Sequence, residues 1–301
     1  MVAGMARGLG LAAALGLAVL LFGSDYAVHV ASRICVFAIA AIGLDLVSGW
    51  LGQISLGHAA FMGIGAYVEV IAMRWGLPSV FALLAGLVAA SGAGALLALP
   101  ATRLFGPHIA IATLGFQVGI EQLWARSTGL SGGRMGLPTE LVQQALPLPQ
   151  RGLFVLCWVA CVAVALCVHW GLNAGAARDL VALRDEPVAA EAAGLSPLRT
   201  RALTYAASGL ICGLAGTLFV GLTDSLHPEQ FGLSTSLELL VMVMVGGAAS
   251  VRGAVLGAGL VVLLGALLGS LAELQTAAIG GLLLVTLLFW PQGLSRRRAH
   301  A

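Results

Sequence analysis

The stretch GQISLGHAAFMGIGAY at residues 52–67 gathers Gln53, Ser55 and His58 in a chain that is otherwise mostly hydrocarbon. Gly52, Gly57, Gly63 and Gly65 run through it. An amide, a hydroxyl and an imidazole together both donate and accept hydrogen bonds. With Asp45 just upstream, Gln53, Ser55 and His58 could line an amphipathic path for a small zwitterionic, largely apolar solute. Asp45, His58 and Glu69 could instead relay a proton, since ionisable groups inside a membrane mark ion and solute pathways. The same polar groups also suit hydrogen bonds to neighbouring helices, which would make the stretch a packing element first. Ser55, Ala59 and Gly63 recur every four residues, with Gly57 a further small residue, so another helix backbone can approach there. The glycines also predict a break, and the free N–H groups at a half-helix N-terminus attract a substrate carboxylate. A hydrolytic pair of Ser131 and His58 is disfavoured, because Ser131 falls in a polar connection and His58 in an apolar span.

What must hold these residues is a set of membrane helices. Of 301 residues, 59% are hydrophobic and only 9% charged, and the mean hydropathy is +1.00. Soluble domains carry about 25% charged residues, so this chain lacks the polar surface to face water. Ten apolar segments approach the ~20 residues of a bilayer crossing: 8–23, 28–49, 54–73, 78–101, 108–126, 152–171, 203–223, 235–248, 254–272 and 276–290. The expected fold is all-α and polytopic, a single transmembrane domain over 1–301 with about 8–10 helices, some short or discontinuous. Residues 1–24 resemble a signal peptide with Arg7 ahead of an apolar run, but nine further spans favour a retained helix.

Arginine placement orients the chain. With alternating spans and both termini cytoplasmic, Arg7, Arg103, Arg178, Arg184, Arg199, Arg201, Arg252, Arg296, Arg297 and Arg298 lie inside. Arg33, Arg74, Arg126, Arg134 and Arg151 lie outside, and ten against five follows the positive-inside rule. Glu69, Glu121 and Glu238 fall toward the outer ends of spans, where water reaches them, with Arg126 near Glu121. Trp50, Trp75, Trp124 and Trp290 sit near span ends, as interfacial aromatics do.

Composition also excludes several roles. All fifteen basic residues are arginine, and a P-loop ATPase needs a lysine on the phosphates. ATP-driven work therefore requires a separate subunit. A net charge of +2 gives no footprint for nucleic acid. Cys35, Cys157, Cys161, Cys167 and Cys212 all lie in apolar stretches, where a thiol acts as a small hydrophobe. Cys157 and Cys161 share a helix face, but no His, Asp or Glu nearby completes a metal site, and none is expected.

Two polar connections interrupt the spans. The external one, about 127–150, is rich in Gly and Pro and reads as turns. The cytoplasmic one, about 173–201, predicts a short helix capped by Asp185, with Glu186 and Pro187 in its first turn and Gly194 just past its end. Ser196 and Pro197 would cap and open the next helix. The helix would span about two turns, ~12 Å by helical rise, small enough to seat in a groove of another protein.

These stretches carry a family likeness. GQISLGHAAFMGIGAY resembles the hallmark of branched-chain amino-acid ABC transporter permeases, the LivM class of the LIV-type importers. ATLGFQ at 112–117, SGGRMGL at 131–137, ALRDEPVAAEAAGLSPLRTR at 182–201 and HPEQFGLSTSLELLVMVMVGGAASVRGAVLGA at 227–258 resemble its later landmarks, in order. The resemblance implies that Arg184, Asp185, Glu186, Glu191, Ala192, Ala193 and Gly194 form an ATPase-coupling loop. It implies partners: two cytoplasmic ATPases that carry the ATP and magnesium, a second related permease, and a soluble binding protein delivering cargo to the outer face of a bacterial inner membrane. This chain would itself be a transport subunit without enzymatic activity or a cofactor of its own. An ion- or proton-coupled secondary transporter is the rival expectation, and it predicts uptake without an ATPase. One position departs from the family pattern: Asp45, in GLDLVSGW, stands where a neutral residue such as Asn is expected.

Overall fold

A computed structural model describes residues 16–21, 23–102, 104, 106–145, 147–269, 272–289 and 293–294. Most of the expected first span, together with Arg7, Arg103, Trp290 and Arg296 to Arg298, lies outside the described residues. Helix α1, Asp25–Asp45, starts at Ser24, whose Oγ accepts the Ala27 N–H at 3.3 Å. It runs directly into a π turn, Leu46–Trp50. Then come α2 (His58–Arg74), α3 (Ser79–Ala101) and α4 (Pro107–Arg126), followed by two short helices, α5 (Thr128–Ser131) and α6 (Glu140–Ala145). Helix α7 (Gln150–Gly171) continues through a π turn at Leu172–Ala176 into α8 (Ala177–Asp185). Short α9 (Pro187–Ala192) precedes α10 (Pro197–Val220), α11 (Leu233–Gly246), α12 (Val251–Leu267) and α13 (Ala272–Phe289).

Among the described residues, four helical stretches are long and apolar enough to cross a membrane alone: Asp25–Trp50, Ser79–Ala101, Gln150–Asp185 and Pro197–Val220. Helices α2, α11 and α12 have 17, 14 and 17 residues. The chain before α2 is non-helical over 51–57, which is the break that the glycines predict.

Cross-chain hydrogen bonds sort the helix ends onto two faces. On one, Gln150 reaches Asp25 O, Tyr26 reaches Ala266 O and Arg74 reaches Leu130 O. Here β1 (Leu137–Pro138) pairs antiparallel with β2 (Ser225–Leu226). On the other, Arg184 reaches Gly49 O, Arg201 reaches Thr102 O, and the Leu294 N–H reaches Val245 O. The longer helices thus run alternately between two faces, as membrane-crossing elements must, while α5, α6 and α9 lie within the connections.

Small residues set the packing. Helices α2, α3 and α10 meet backbone to backbone, because lipid gives helices no hydrophobic reason to associate and close van der Waals fit must hold them. A Cβ on Gly65 would run into Gly213, one on Gly216 into Met62 O, one on Gly94 into Tyr205 O, and one on Gly209 into Ala90 O. Helices α11 and α12 form a hairpin built the same way, with Gly246 against Gly253 and Gly257 against Met242 O. Helix α1 is the axis of the bundle: 78% of its membrane-length window is buried, against 22% for the α7 segment on the rim. It packs against α7, α10, α11 and α12.

Several local expectations need correction. The connection after α4 is not only turns, since α5, α6 and β1 form within it. Asp185 ends α8, and Glu186 takes the position before α9. Pro187 there lacks the N–H to continue α8, so the helix breaks one residue later than capping chemistry implies. Trp50 and Trp124 are buried, with Trp124 stacked on Tyr67 at 4.7 Å between ring centres, while Trp75 is exposed. Glu69 is buried rather than reached by water, and Glu121 and Glu238 are half-buried. Among the described residues no Glu121–Arg126 ion pair forms, consistent with their poor i, i+5 spacing.

Candidate functional site: a polar knot, an exposed knuckle and paired loops

Helix α2 begins inside the bundle, so its first N–H groups cannot turn to water. Side chains from two distant helices, α4 and α11, meet them. The Leu56 N–H donates to Thr113 Oγ1 at 3.0 Å, Ala59 N–H to Ser236 Oγ at 3.2 Å, and Ala60 N–H to Gln117 Oε1 at 2.8 Å. Ser236 in turn donates to Gln117 Oε1 at 3.0 Å, and the Gln117 amide donates to Phe231 O. Gln117 is fully buried and serves as the central acceptor. The sequence expectation of free N–H groups for a substrate carboxylate is therefore corrected: the N–H groups of Ala59 and Ala60 are occupied by the chain itself.

His58 sits at the same place, with both ring nitrogens engaged. Ser208 donates its single proton to Gly43 O at 2.7 Å. It must therefore accept from His58 Nε2, 2.8 Å away, which leaves Nδ1 to accept from Ser55 Oγ at 2.9 Å. Ser55, His58 and Ser208 are all buried. Gln53 lies one layer away, its Oε1 accepting from Tyr205 Oη at 3.0 Å. Asp45 is 1% exposed, and its Oδ1 accepts the Ala249 N–H at 2.7 Å. Ser55 and His58 thus come together, while Gln53 and Asp45 belong to separate neighbourhoods. Ser131 is not near His58: its hydroxyl bonds Trp124 O and Ser127 O.

The small residues divide similarly. Ser55 precedes the helix, so it shares no helical face with Ala59 and Gly63. Gly57 lies against Thr113, and Gly63 under Phe231. The backbone-to-backbone approach uses Gly65 instead, a face that the four-residue spacing from Ser55 does not reach. Gln117, Thr113, Ser208 and Ser236 were not singled out in the sequence, although Thr113, Gln117 and Ser236 lie in the quoted landmark stretches. A signal existed: each is a polar residue within a largely apolar span, where an unsatisfied polar group is costly.

Removing the central acceptor tests the knot. Gln117→Leu strands the Ala60 N–H and the Ser236 hydroxyl, which costs about 1–3 kcal/mol for each buried orphan. The expected result is a clear drop in the thermal midpoint of the detergent-solubilised chain, with Gln122→Leu, on the half-buried side of the same helix, near wild type.

On the face opposite the β1–β2 ladder, α9 forms a knuckle. Only Ala190 is buried; Val188 is 81% exposed, and Glu191, Ala192, Ala193 and Gly194 are exposed beside it. Gly194 has φ +93°, and a Cβ there would meet open space, so the constraint is backbone conformation alone. Ser196 caps α10 through the Arg199 N–H, 3.5 Å away, with Pro197 next. Arg184 lies at the knuckle's root and pairs with Asp185 at 3.6 Å. On the face opposite α9, the β1–β2 ladder joins the loops 127–149 and 221–232, with Leu137 opposite Leu226. These loops border a cavity of about 290 Å³ lined by Arg74, Thr128, Leu137, Glu140 and Leu141.

Helices packed through small residues, four stretches of them long and apolar enough to cross a membrane alone among the described residues, define an integral membrane helix bundle. The family model described as branched-chain amino acid transport system, permease component, matches residues 26–289, and this chain belongs to that family. It is 30% identical over 295 residues to the high-affinity branched-chain amino acid transport system permease protein LivM of Salmonella typhimurium, covering 89% of this chain and 69% of that one. The same identity and coverage hold for LivM of Escherichia coli. The fructose import permease protein FrcC of Rhizobium meliloti is 32% identical over 126 residues, 40% of this chain and 34% of its own. No solved structure matches the chain.

Proposed function

We propose that this chain is one of two permease subunits of an ATP-binding-cassette importer in a bacterial inner membrane, and that its cargo is a branched-chain amino acid. Membership of the family supports the class, and the likeness to LivM over most of the chain supports the cargo. The observation that carries the coupling assignment is α9, a short helix that gives the core only Ala190 and leaves Val188 and Glu191 to a partner. Arg184, Asp185, Glu186, Glu191, Ala192, Ala193 and Gly194 form the surface on which an ATPase docks. Two ATPases dock beneath the permease pair and supply the ATP chemistry. A soluble binding protein lands on the joined outer loops, where Arg74, Arg134, Glu140 and Glu229 offer both charges. Both termini face the cytoplasm, and the cargo passes along a path shared with the second permease. A proton relay through Asp45 and His58 has less support, because His58 has both nitrogens engaged and Asp45 holds Ala249.

The test is a mild-detergent pull-down of the tagged chain from its native membranes, with mass spectrometry of its companions. P-loop ATPases and a second permease are the expected companions. A chain that comes down alone yet transports when reconstituted would overturn the importer reading in favour of a secondary transporter.

A further inference from the structure

Three segments converge at the cytoplasmic end of α1, within one turn of backbone. From the coupling side, Arg184 Nη1 donates to Gly49 O at 3.1 Å. Its aliphatic stem lies on Gly52, where a Cβ would meet Arg184 Cγ at 2.7 Å, and Gly52 has φ +71°. From the other side comes the turn between α11 and α12. Ala249 there has φ +58°, the one non-glycine residue with positive φ among the described residues, and such a backbone is strained for a residue with a Cβ. Its N–H is held by Asp45 Oδ1. Gly49 lies between the two: a Cβ on it would strike both Asp45 Oδ1 and Ala249 N. The hairpin beyond Ala249 is packed backbone to backbone through Gly246, Gly253 and Gly257, so its two helices move together.

We propose that Arg184 and Asp45 are positioning residues that carry displacement of the coupling helix into the α11–α12 hairpin through the backbone around Gly49. This rests on the importer reading. Arg184 pulls on the carbonyl of Gly49, and Asp45, one helical turn earlier, grips the strained turn at Ala249. The π turn at Leu46–Trp50 is where this happens, and such wide turns adjust more readily than a regular helix. The proposal also accounts for Asp45 where a neutral Asn is expected. The role asks for a side-chain oxygen that accepts an N–H, which either residue supplies, and it makes no use of the charge on cargo.

The experiment uses the complete complex, purified with its own companion subunits and binding protein and reconstituted in liposomes. Leucine uptake and phosphate release are measured together. Arg184→Ala and Asp45→Ala are each expected to lower uptake per ATP hydrolysed about tenfold, the scale of one lost charge-assisted bond. The half-saturating leucine concentration should not change. Asp45→Asn should retain most of the ratio, because its oxygen still accepts from Ala249. The double variant should be no worse than the poorer single one, since both act at one joint. An unchanged ratio in Arg184→Ala overturns the proposal, as do losses that multiply in the double variant. So does an Asp45→Asn complex that matches Asp45→Ala with a raised half-saturation, which would make the carboxylate a contact for the cargo's ammonium. Should Asp45→Ala fail to assemble, Arg184→Ala, whose side chain is half-exposed, decides alone. A wild-type complex without any ATPase would overturn the importer reading itself, whereas an ATPase-bearing complex with an unchanged ratio would overturn only the joint.

Discussion

Gly216→Val should sharply lower the thermal midpoint of the folded chain. A Cβ at this position would sit on the carbonyl oxygen of Met62 and 3.0 Å from its Cα, and neither atom can give way without moving α2. Overpacking a close-fitted core usually costs about 1–3 kcal/mol, and a clash with backbone falls at or beyond the top of that range. That is a large part of the ~5–15 kcal/mol that holds a typical domain together. The measurement is size-exclusion chromatography of the detergent-solubilised chain after a temperature ramp. Gly115→Ala is the companion variant: the residue is exposed on α4 and its added Cβ would meet open space. It should be neutral or slightly stabilising, by up to about 1 kcal/mol, since alanine costs less chain entropy in a helix than glycine. A Gly216→Val chain with the wild-type midpoint would mean that α2 and α10 do not pack as described.

The second large effect concerns the knuckle. Combining Glu191→Arg with Gly194→Glu reverses a charge on the exposed face of α9 and forces a side chain into a backbone with φ +93°. The strain at 194 is about 1–2 kcal/mol and is confined to the surface, so insertion should survive. Placing the wrong charge in a docked interface costs several kcal/mol, so association with the ATPase should weaken at least about a hundredfold. Co-purification with the ATPase, scored against the amount of inserted chain, gives the answer. Undiminished association would remove α9 from the docking surface.

Much of the bundle was legible because its signals are local. Apolar length located the long helices to within about six residues at either end, and Gly194, Ser196 and Pro197 announced their turn and cap by residue type. Other features were not local. Asp185 is the better cap by residue type, yet the break forced by Pro187 leaves Glu186 at that position, with no side-chain cap bond. Trp124 carries the interfacial signature of its residue type, yet Tyr67, from another helix, covers it. Glu69 shows the same limit, since burial depends on which helices close over that face of α2. Gln53 and His58 advertised polar chemistry, but their partners Tyr205 and Ser208 lie on α10, about 150 residues away. No spacing rule connects such positions. Asp45 is the clearest case: it read as a charge on a pathway because its partner is a backbone N–H, which has no sequence signature.

The capping of α2 has a consequence for how the protein is made. Ala60 waits for Gln117, 57 residues later, and Ala59 waits for Ser236, 177 residues later. At roughly 5–20 residues per second, a ribosome needs about 9–35 s to deliver that serine. Throughout this interval the opening turn of α2 cannot lie bare in lipid, where each unmet N–H costs several kcal/mol. The nascent segment around residues 52–60 must therefore stay hydrated, at the insertion machinery or the membrane surface, and its final seating is among the last events of biogenesis rather than the third in chain order.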